Sequence, residues 1–192
     1  MIGWVTGGGR YPGIVTTPPF APVSDADLTV LHEQLGRPAR GVVGIAARCV
    51  CGNPTVVATT PRLPDGSPFP TFYYLTHPGA TAAMSMLEAD HIMRELQDGL
   101  ADDDDLRAAY TAAHEAYLAD RAQYGVVDEI DGISAGGMPT RVKCLHALAG
   151  HALAAGPGVN PIGDRALEMS IWSPERCVYA TPGGAAGEAG AG

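Results

Sequence analysis

The sequence lacks the features that mark membrane-spanning, secreted and nucleic-acid-binding proteins. Charged residues make up only 17% of its 192 residues, and the formal net charge is −9. This acidic balance disfavours binding to nucleic acids, whose phosphates attract basic proteins. The uncharged stretch at residues 144–163 is interrupted by glycine and proline from Gly156 onward, so its helical part is shorter than the ~20 residues that span a bilayer. The basic segment and apolar core of a signal peptide are also missing at the start.

Cysteine is scarce as well. The sequence contains four cysteines, which are Cys49, Cys51, Cys144 and Cys177. Since no segment resembles a secretion signal, we expect a cytoplasmic protein, in which cysteines are thiols or metal ligands rather than disulfides.

The composition divides the chain into three parts. Residues 1–23 are rich in glycine and proline, which predicts an irregular N-terminal arm. Residues 24–172 carry regular apolar patterns and predict a single globular domain. Residues 173–192 have little apolar content, which predicts a disordered tail.

The patterns within the domain predict the α+β class, with a small antiparallel three-stranded sheet packed against four to five helices. Three β-branched or aromatic segments separated by tight turns indicate the sheet, and they span residues 41–48, 55–60 and 70–76. Most of the remaining domain has apolar residues at helical spacing. One long helical segment runs from Ala80 to Leu100, with a candidate break at Asp90-His91.

One segment, residues 136–146, concentrates more potential chemistry than any other. Two glycines lead into a helix that we predict to begin at Thr140. Cys144 then lies in the second turn, where the helix N-terminus, Arg141 and Lys143 favour the thiolate over the thiol. These features suggest a catalytic or redox-sensitive cysteine. The alternative is a small apolar side chain in a buried helix, where burial raises the pKa of the thiol.

His146 is the candidate base for this thiol, but the predicted helix works against it. Residues two apart point roughly 200° apart on a helix, so a contact between Cys144 and His146 needs a distorted first turn or a bridging substrate. His151 shares the Cys144 face but lies two turns away, roughly 10 Å along the axis. For both histidines, a place in the core or at an interface is the alternative to a catalytic role.

A small anion is the ligand that suits this segment. Gly136 and Gly137 can bring backbone N–H groups close to a ligand, and a helix N-terminus favours negative charge. Arg48, Arg141 and Lys143 can add charge-assisted hydrogen bonds. The segment is not a P-loop, because the pattern G-x-x-x-x-G-K-[ST] is absent.

A structural metal site is a second hypothesis. Zinc usually binds four ligands, mostly cysteine and histidine, and one candidate set is Cys49, His77, Cys144 and His146. Cys51 is close to Cys49, but their thiols point to opposite faces on a regular strand and converge only in a turn. Neither pair has the C-x-x-C spacing that identifies many zinc sites.

Several short segments of the predicted domain occur together in a distinctive combination. They are Leu35-Gly36-Arg37-Pro38, Gly41-Val42-Val43-Gly44, Arg48-Cys49, Gly66-Ser67-Pro68-Phe69-Pro70-Thr71, Tyr74-Leu75-Thr76-His77-Pro78, Leu87-Glu88, Val142-Lys143-Cys144-Leu145-His146 and Asn160-Pro161-Ile162-Gly163. On these segments the chain resembles the bacterial domain of unknown function family 501, particularly its actinobacterial members, over roughly residues 26–171. In that family the position of His77 is usually cysteine, and either residue can bind zinc. The resemblance implies no established activity.

Three functions follow as hypotheses. The first is a domain that binds a small anionic ligand near Arg48, Arg141 and Lys143. If it is a thiol-dependent enzyme, Cys144 and His146 are its catalytic pair. The second is a structural zinc domain, and the third is a protein-interaction module without catalysis. The sequence does not decide whether the protein is an enzyme.

Overall fold

The predicted α+β class is confirmed by a computed structural model that describes Pro18, Phe20 and residues 22–176. Its elements in chain order are α1 (Asp25–Leu35), β1 (Val42–Arg48), β2 (Pro54–Thr59), β3 (Tyr73–Leu75), α2 (Pro78–Ala89), α3 (Ile92–Asp102), α4 (Asp104–Ala122), a 3-10 turn (Asp128–Ile130), α5 (Leu145–Ala155) and α6 (Pro161–Met169). The strands form one antiparallel sheet in the order β1-β2-β3.

Six α-helices are present in the described part of the chain, where the sequence predicts four or five. The segment from Ala80 to Leu100 divides into α2 and α3 at Asp90-His91, the position of the candidate break. Helix α2 ends near Asp90, and His91 adopts a left-handed backbone with φ of 62°. That conformation ends α2, because residues of a right-handed helix have φ of about −63°.

Helix α5 lies at the centre of the fold, against β3, α2 and α6. It is apolar around most of its circumference, and nine of its eleven residues are buried. His151, on this helix, is fully buried and stacks on the ring of Tyr73 with the centroids 5.5 Å apart. Burial lowers the pKa of His151 to about 4, so this histidine is a neutral core residue.

Residues from both flanks of the predicted domain also pack against it. Phe20 lies over Gly44 and stacks on the ring of Tyr124 with the centroids 5.8 Å apart. At the other end, the carbonyl oxygen of Pro174 accepts hydrogen bonds from the backbone of Val50 at 3.0 Å and from the thiol of Cys49 at 3.3 Å. The rest of the expected arm and tail, residues 1–17, 19, 21 and 177–192, lies outside the described residues.

An ion pair joins α1 to the sheet. Both terminal nitrogens of Arg48 donate to the carboxylate of Asp27, at 2.6 and 3.0 Å. The same carboxylate accepts from the backbone and hydroxyl of Ser24, which caps α1. The hydrogen bond from Arg48 is the main reason that the pKa of Asp27 falls to about 2.

We predict that Gly163→Ala lowers the free energy of unfolding by about 2–3 kcal/mol. A Cβ atom at this position would lie 2.2 Å from the carbonyl oxygen of Leu148, so α6 would have to move away from α5. Gly150→Ala is the matched control, since its Cβ would make an ordinary 3.4 Å contact, and it should change stability by less than about 1 kcal/mol. Equal losses in urea unfolding of the two variants would contradict this description of the packing.

We also predict that Asp27→Asn lowers the free energy of unfolding at pH 7 by about 1–2 kcal/mol. This is less than the full shift in the pKa of Asp27 implies, because solvent screens the partly exposed Arg48. The folded-state pKa lies below the unfolded value near 3.8, so the stabilisation is present above pH ~4 and disappears as the pH falls towards 2. Denaturation curves of wild type and variant should therefore converge near pH 2. The control Asp25→Asn, on the exposed side of the same helical turn, should lower stability by less than Asp27→Asn does. If the stability difference between wild type and Asp27→Asn stays constant from pH 7 to pH 2, the proposed pH dependence is wrong.

Candidate functional site

Helix α5 begins at Leu145, five residues later than the predicted start at Thr140. The backbone before it is held by side chains from distant helices. The amide of Gln97 accepts a hydrogen bond from the N–H of Val142 at 2.8 Å and donates to the carbonyl of Thr140 at 3.2 Å. The hydroxyl of Tyr110 donates to the carbonyl of Arg141 at 3.0 Å. Because these backbone N–H and carbonyl groups bond to side chains, they do not form the hydrogen bonds of a helix. The segment therefore stays irregular up to Cys144.

The later start changes the relation between Cys144 and His146. Cys144 is the N-cap residue of α5 and has an extended backbone, with φ of −150° and ψ of 106°. The expectation that the two side chains diverge on a helix is therefore wrong. One ligating atom each from Cys144, His146 and Glu88 lies within 4.8 Å of the other two, so the thiol, the imidazole and the carboxylate form one group.

Glu88, near the C-terminal end of α2, is not among the predicted site residues, although Leu87-Glu88 is one of the segments that carry the family resemblance. Its Oε1 atom accepts a hydrogen bond from the backbone N–H of Leu145 at 2.7 Å and lies 3.1 Å from Nδ1 of His146. It thereby satisfies one of the N–H groups that a helix start leaves unpaired. One carboxylate oxygen thus positions both the first turn of α5 and the imidazole ring.

The other ring nitrogen of His146 determines which tautomer is present. Nε2 lies 3.1 Å from the carbonyl oxygen of Thr81 and 3.2 Å from Oγ of Ser85. A carbonyl oxygen can only accept a hydrogen bond. Nε2 therefore carries a proton and donates a hydrogen bond to the carbonyl oxygen of Thr81. Nδ1, on the side of Glu88, is therefore the nitrogen that gains or loses a proton.

The electrostatics of the pair favour separated charges. The hydrogen bond to His146 lowers the pKa of the Cys144 thiol, against opposing effects of burial and the charge of Glu88. The nearby backbone N–H of Ala147 lowers the pKa of this thiol by a smaller amount. The Cys144 side chain nevertheless makes no capping hydrogen bond at the start of α5. The pKa of His146 rises to about 9, mainly through Cys144 and then through Glu88. A thiolate next to an imidazolium is the arrangement expected of activated cysteines.

The cations and glycines of the predicted anion site have different surroundings. Lys143 and Arg141 are exposed next to Cys144 in the chain, and neither has an ion-pair partner among residues 22–176. Gly137 has φ of 95°, and a Cβ there would lie 2.6 Å from the carbonyl oxygen of Arg141. This glycine is therefore needed to close the loop. Arg48 forms an ion pair with Asp27 and donates a hydrogen bond to the carbonyl oxygen of Gly52, so its guanidinium already has partners within the protein.

The predicted zinc set of Cys49, His77, Cys144 and His146 does not come together as one group. In the described part of the chain, the structure divides these residues between two clusters, each with ligating atoms within 4.8 Å of one another. One cluster is the group of Glu88, Cys144 and His146, and the other consists of Cys49, Cys51 and His77. Both cysteines near residue 50 lie in a turn after β1, where they face the same histidine.

Among the described residues, no helix combines the length and the apolar character needed to cross a bilayer.

Comparisons with known proteins identify a family but no characterised relative. Searches among curated proteins and among solved structures gave no significant match. Residues 45–168 match the family described as "Protein of unknown function (DUF501)". This match covers well over half of the chain and includes both cysteine–histidine clusters, so the chain belongs to the DUF501 family.

Proposed function

We propose that the protein is a cytoplasmic, thiol-dependent enzyme that acts on a small anionic substrate, with Cys144 as its nucleophile. The observation that carries this proposal is the contact of Cys144 with His146, whose ring is in turn positioned by Glu88 and Thr81. A nucleophile, a base and a group that orients the base are the three parts of a nucleophilic site. The reducing cytoplasm keeps such a thiol available.

Each residue has a defined task in this scheme. Nδ1 of His146 takes the proton of the Cys144 thiol, and the thiolate attacks an electrophilic carbon of the substrate. The imidazolium then returns the proton to the group that leaves that carbon. Glu88 is a positioning residue, because it holds the ring and stabilises its protonated form through the contact at Nδ1. When the attacked carbon is an acyl carbon, a water molecule activated by the same imidazole hydrolyses the resulting thioester and returns Cys144 to its free form.

The preference for an anionic substrate rests on local charge. The whole chain carries a net charge of −9, yet the residues before the nucleophile are cationic. Lys143, the only lysine in the sequence, precedes Cys144 directly, and the N-terminus of α5 adds partial positive charge. Arg141 and Lys143 are exposed and can pair with a carboxylate or phosphate group of the substrate.

A metal ion has no part in this proposal. The four ligands predicted from the sequence lie in two clusters, which favours a thiol site at Cys144 over one zinc ion shared by all four. The proposal also differs from a protein-interaction module, which needs no activated thiol.

We predict that Cys144 is alkylated by iodoacetamide with a pH midpoint below that of N-acetylcysteine, because the hydrogen bond from His146 stabilises the thiolate. The measurement is the rate of labelling of each cysteine as a function of pH, followed by peptide mass spectrometry on the full chain. His146→Gln keeps an amide that can donate to Thr81 but removes the ionisable ring, so it should move the midpoint upward. A midpoint for Cys144 at or above that of N-acetylcysteine would refute an activated thiol.

A second prediction concerns the charge of the substrate. Iodoacetate and iodoacetamide react by the same displacement but differ in charge, so their rate ratio at Cys144 reports on nearby cations. Lys143→Gln should lower the rate with iodoacetate by about threefold or more and leave the rate with iodoacetamide nearly unchanged. Arg37→Gln removes the same charge from the exposed connection between α1 and β1 and should leave both rates unchanged. If Lys143→Gln also leaves the ratio unchanged, the preference for anions is wrong.

A further inference from the structure

We propose that Cys49, Cys51 and His77 form a second site, which binds a divalent metal ion that favours sulfur and nitrogen ligands, such as Zn²⁺. The site shares no residue with the proposed catalytic group. One ligating atom from each of the three residues lies within 4.8 Å of the others. Two thiolates and an imidazole are the donors that zinc selects over harder cations such as Mg²⁺ or Ca²⁺.

The turn between β1 and β2 brings the two thiols together. Strand β1 ends at Arg48, so neither cysteine is subject to the alternation of a regular strand. The N–H of Cys49 donates to the carbonyl of Asn53 at 3.0 Å, and the N–H of Gly52 donates to the carbonyl of Cys49 at 2.9 Å. Gly52 has φ of 85°, a conformation that favours glycine. The reversal of the chain at this point places both side chains beside His77.

The site is enclosed by the segment that follows α6. The ring of Trp172 packs against His77 with the centroids 5.5 Å apart, and Pro174 accepts the hydrogen bond from the Cys49 thiol. Cys49 and His77 are buried, whereas Cys51 is partly exposed. This enclosure limits competition from water for the ligands, and the exposed side of Cys51 allows an ion to enter. A bound ion would join the β1–β2 turn to the start of α2.

Metal binding requires changes at Cys49 and His77. A ligating Cys49 thiolate has released its proton to solvent and no longer donates to Pro174, and His77 loses its capping hydrogen bond. Its Nδ1 atom accepts a hydrogen bond from the N–H of Gly79 at 3.2 Å and caps α2. Ligation through Nδ1 uses the same lone pair, and ligation through Nε2 requires the proton to move to Nδ1. Either route therefore breaks this hydrogen bond. The loss is small beside the free energy with which thiolates and imidazoles bind zinc, so the cap and the metal are alternatives at one residue.

The test is a titration of the reduced, full-length protein with Co²⁺ after treatment with a chelator. We expect near-ultraviolet absorption from thiolate-to-cobalt charge transfer, together with the visible bands of tetrahedral cobalt, in which a water molecule completes the three protein ligands. Zn²⁺ should displace the cobalt and remove both signals. Cys51→Ser should weaken binding by more than about tenfold, since even groups that only orient a ligand contribute that much. Cys144→Ser removes a cysteine outside the cluster and should leave the spectrum unchanged.

His77→Asn separates metal binding from helix capping. Asparagine is a favourable N-cap residue, so this variant should keep the fold, as judged by circular dichroism, and lose at least tenfold in cobalt affinity. The proposal is overturned if wild-type protein shows no charge-transfer absorption with millimolar Co²⁺. It is equally overturned if Cys144→Ser abolishes the bands while Cys51→Ser and His77→Asn retain them.

Discussion

The contact between Glu88 and the first turn of α5 is the interaction on which the candidate site depends. A single carboxylate oxygen receives the N–H of Leu145 and faces Nδ1 of His146. It stabilises the start of the helix at Leu145, and it leaves Cys144 in the extended residue before the helix. If the helix began one turn earlier, Cys144 and His146 would point in different directions. The local start of one helix thus determines whether these two side chains can meet.

The two cysteine–histidine clusters are organised by the same helix. His77 caps the N-terminus of α2, whereas Thr81, Ser85 and Glu88 follow along its length and contact His146. Helix α2 packs against the buried α5, so movement of either helix would affect the geometry of the Cys144 group. Close packing at Gly163 further restricts α5 from the side of α6. The rigidity that preorganisation of a reactive site requires therefore comes from the core.

Much of the fold can be predicted from local patterns, because those patterns reflect local physics. The three β-branched or aromatic segments form the sheet, and the candidate break at Asp90-His91 separates α2 from α3. The site was less predictable because its geometry depends on contacts between residues far apart in the chain. Gln97 holds the backbone at Thr140 and Val142 from more than forty positions away. Leu87-Glu88 is one of the segments that carry the family resemblance, but its local pattern does not indicate that Glu88 faces Leu145 and His146.

The central claim, that Cys144 and His146 form a charged pair, can be tested most directly by following the His146 ring with NMR. We expect this imidazole to titrate near pH 9 in the wild-type protein and at lower pH in Cys144→Ser, where the thiolate partner is missing. The remaining elevation in that variant reports the contribution of Glu88. If His146 instead titrates at or below the usual value of about 6.5 in both proteins, the thiol is not activated by this histidine, and the account of the site is wrong.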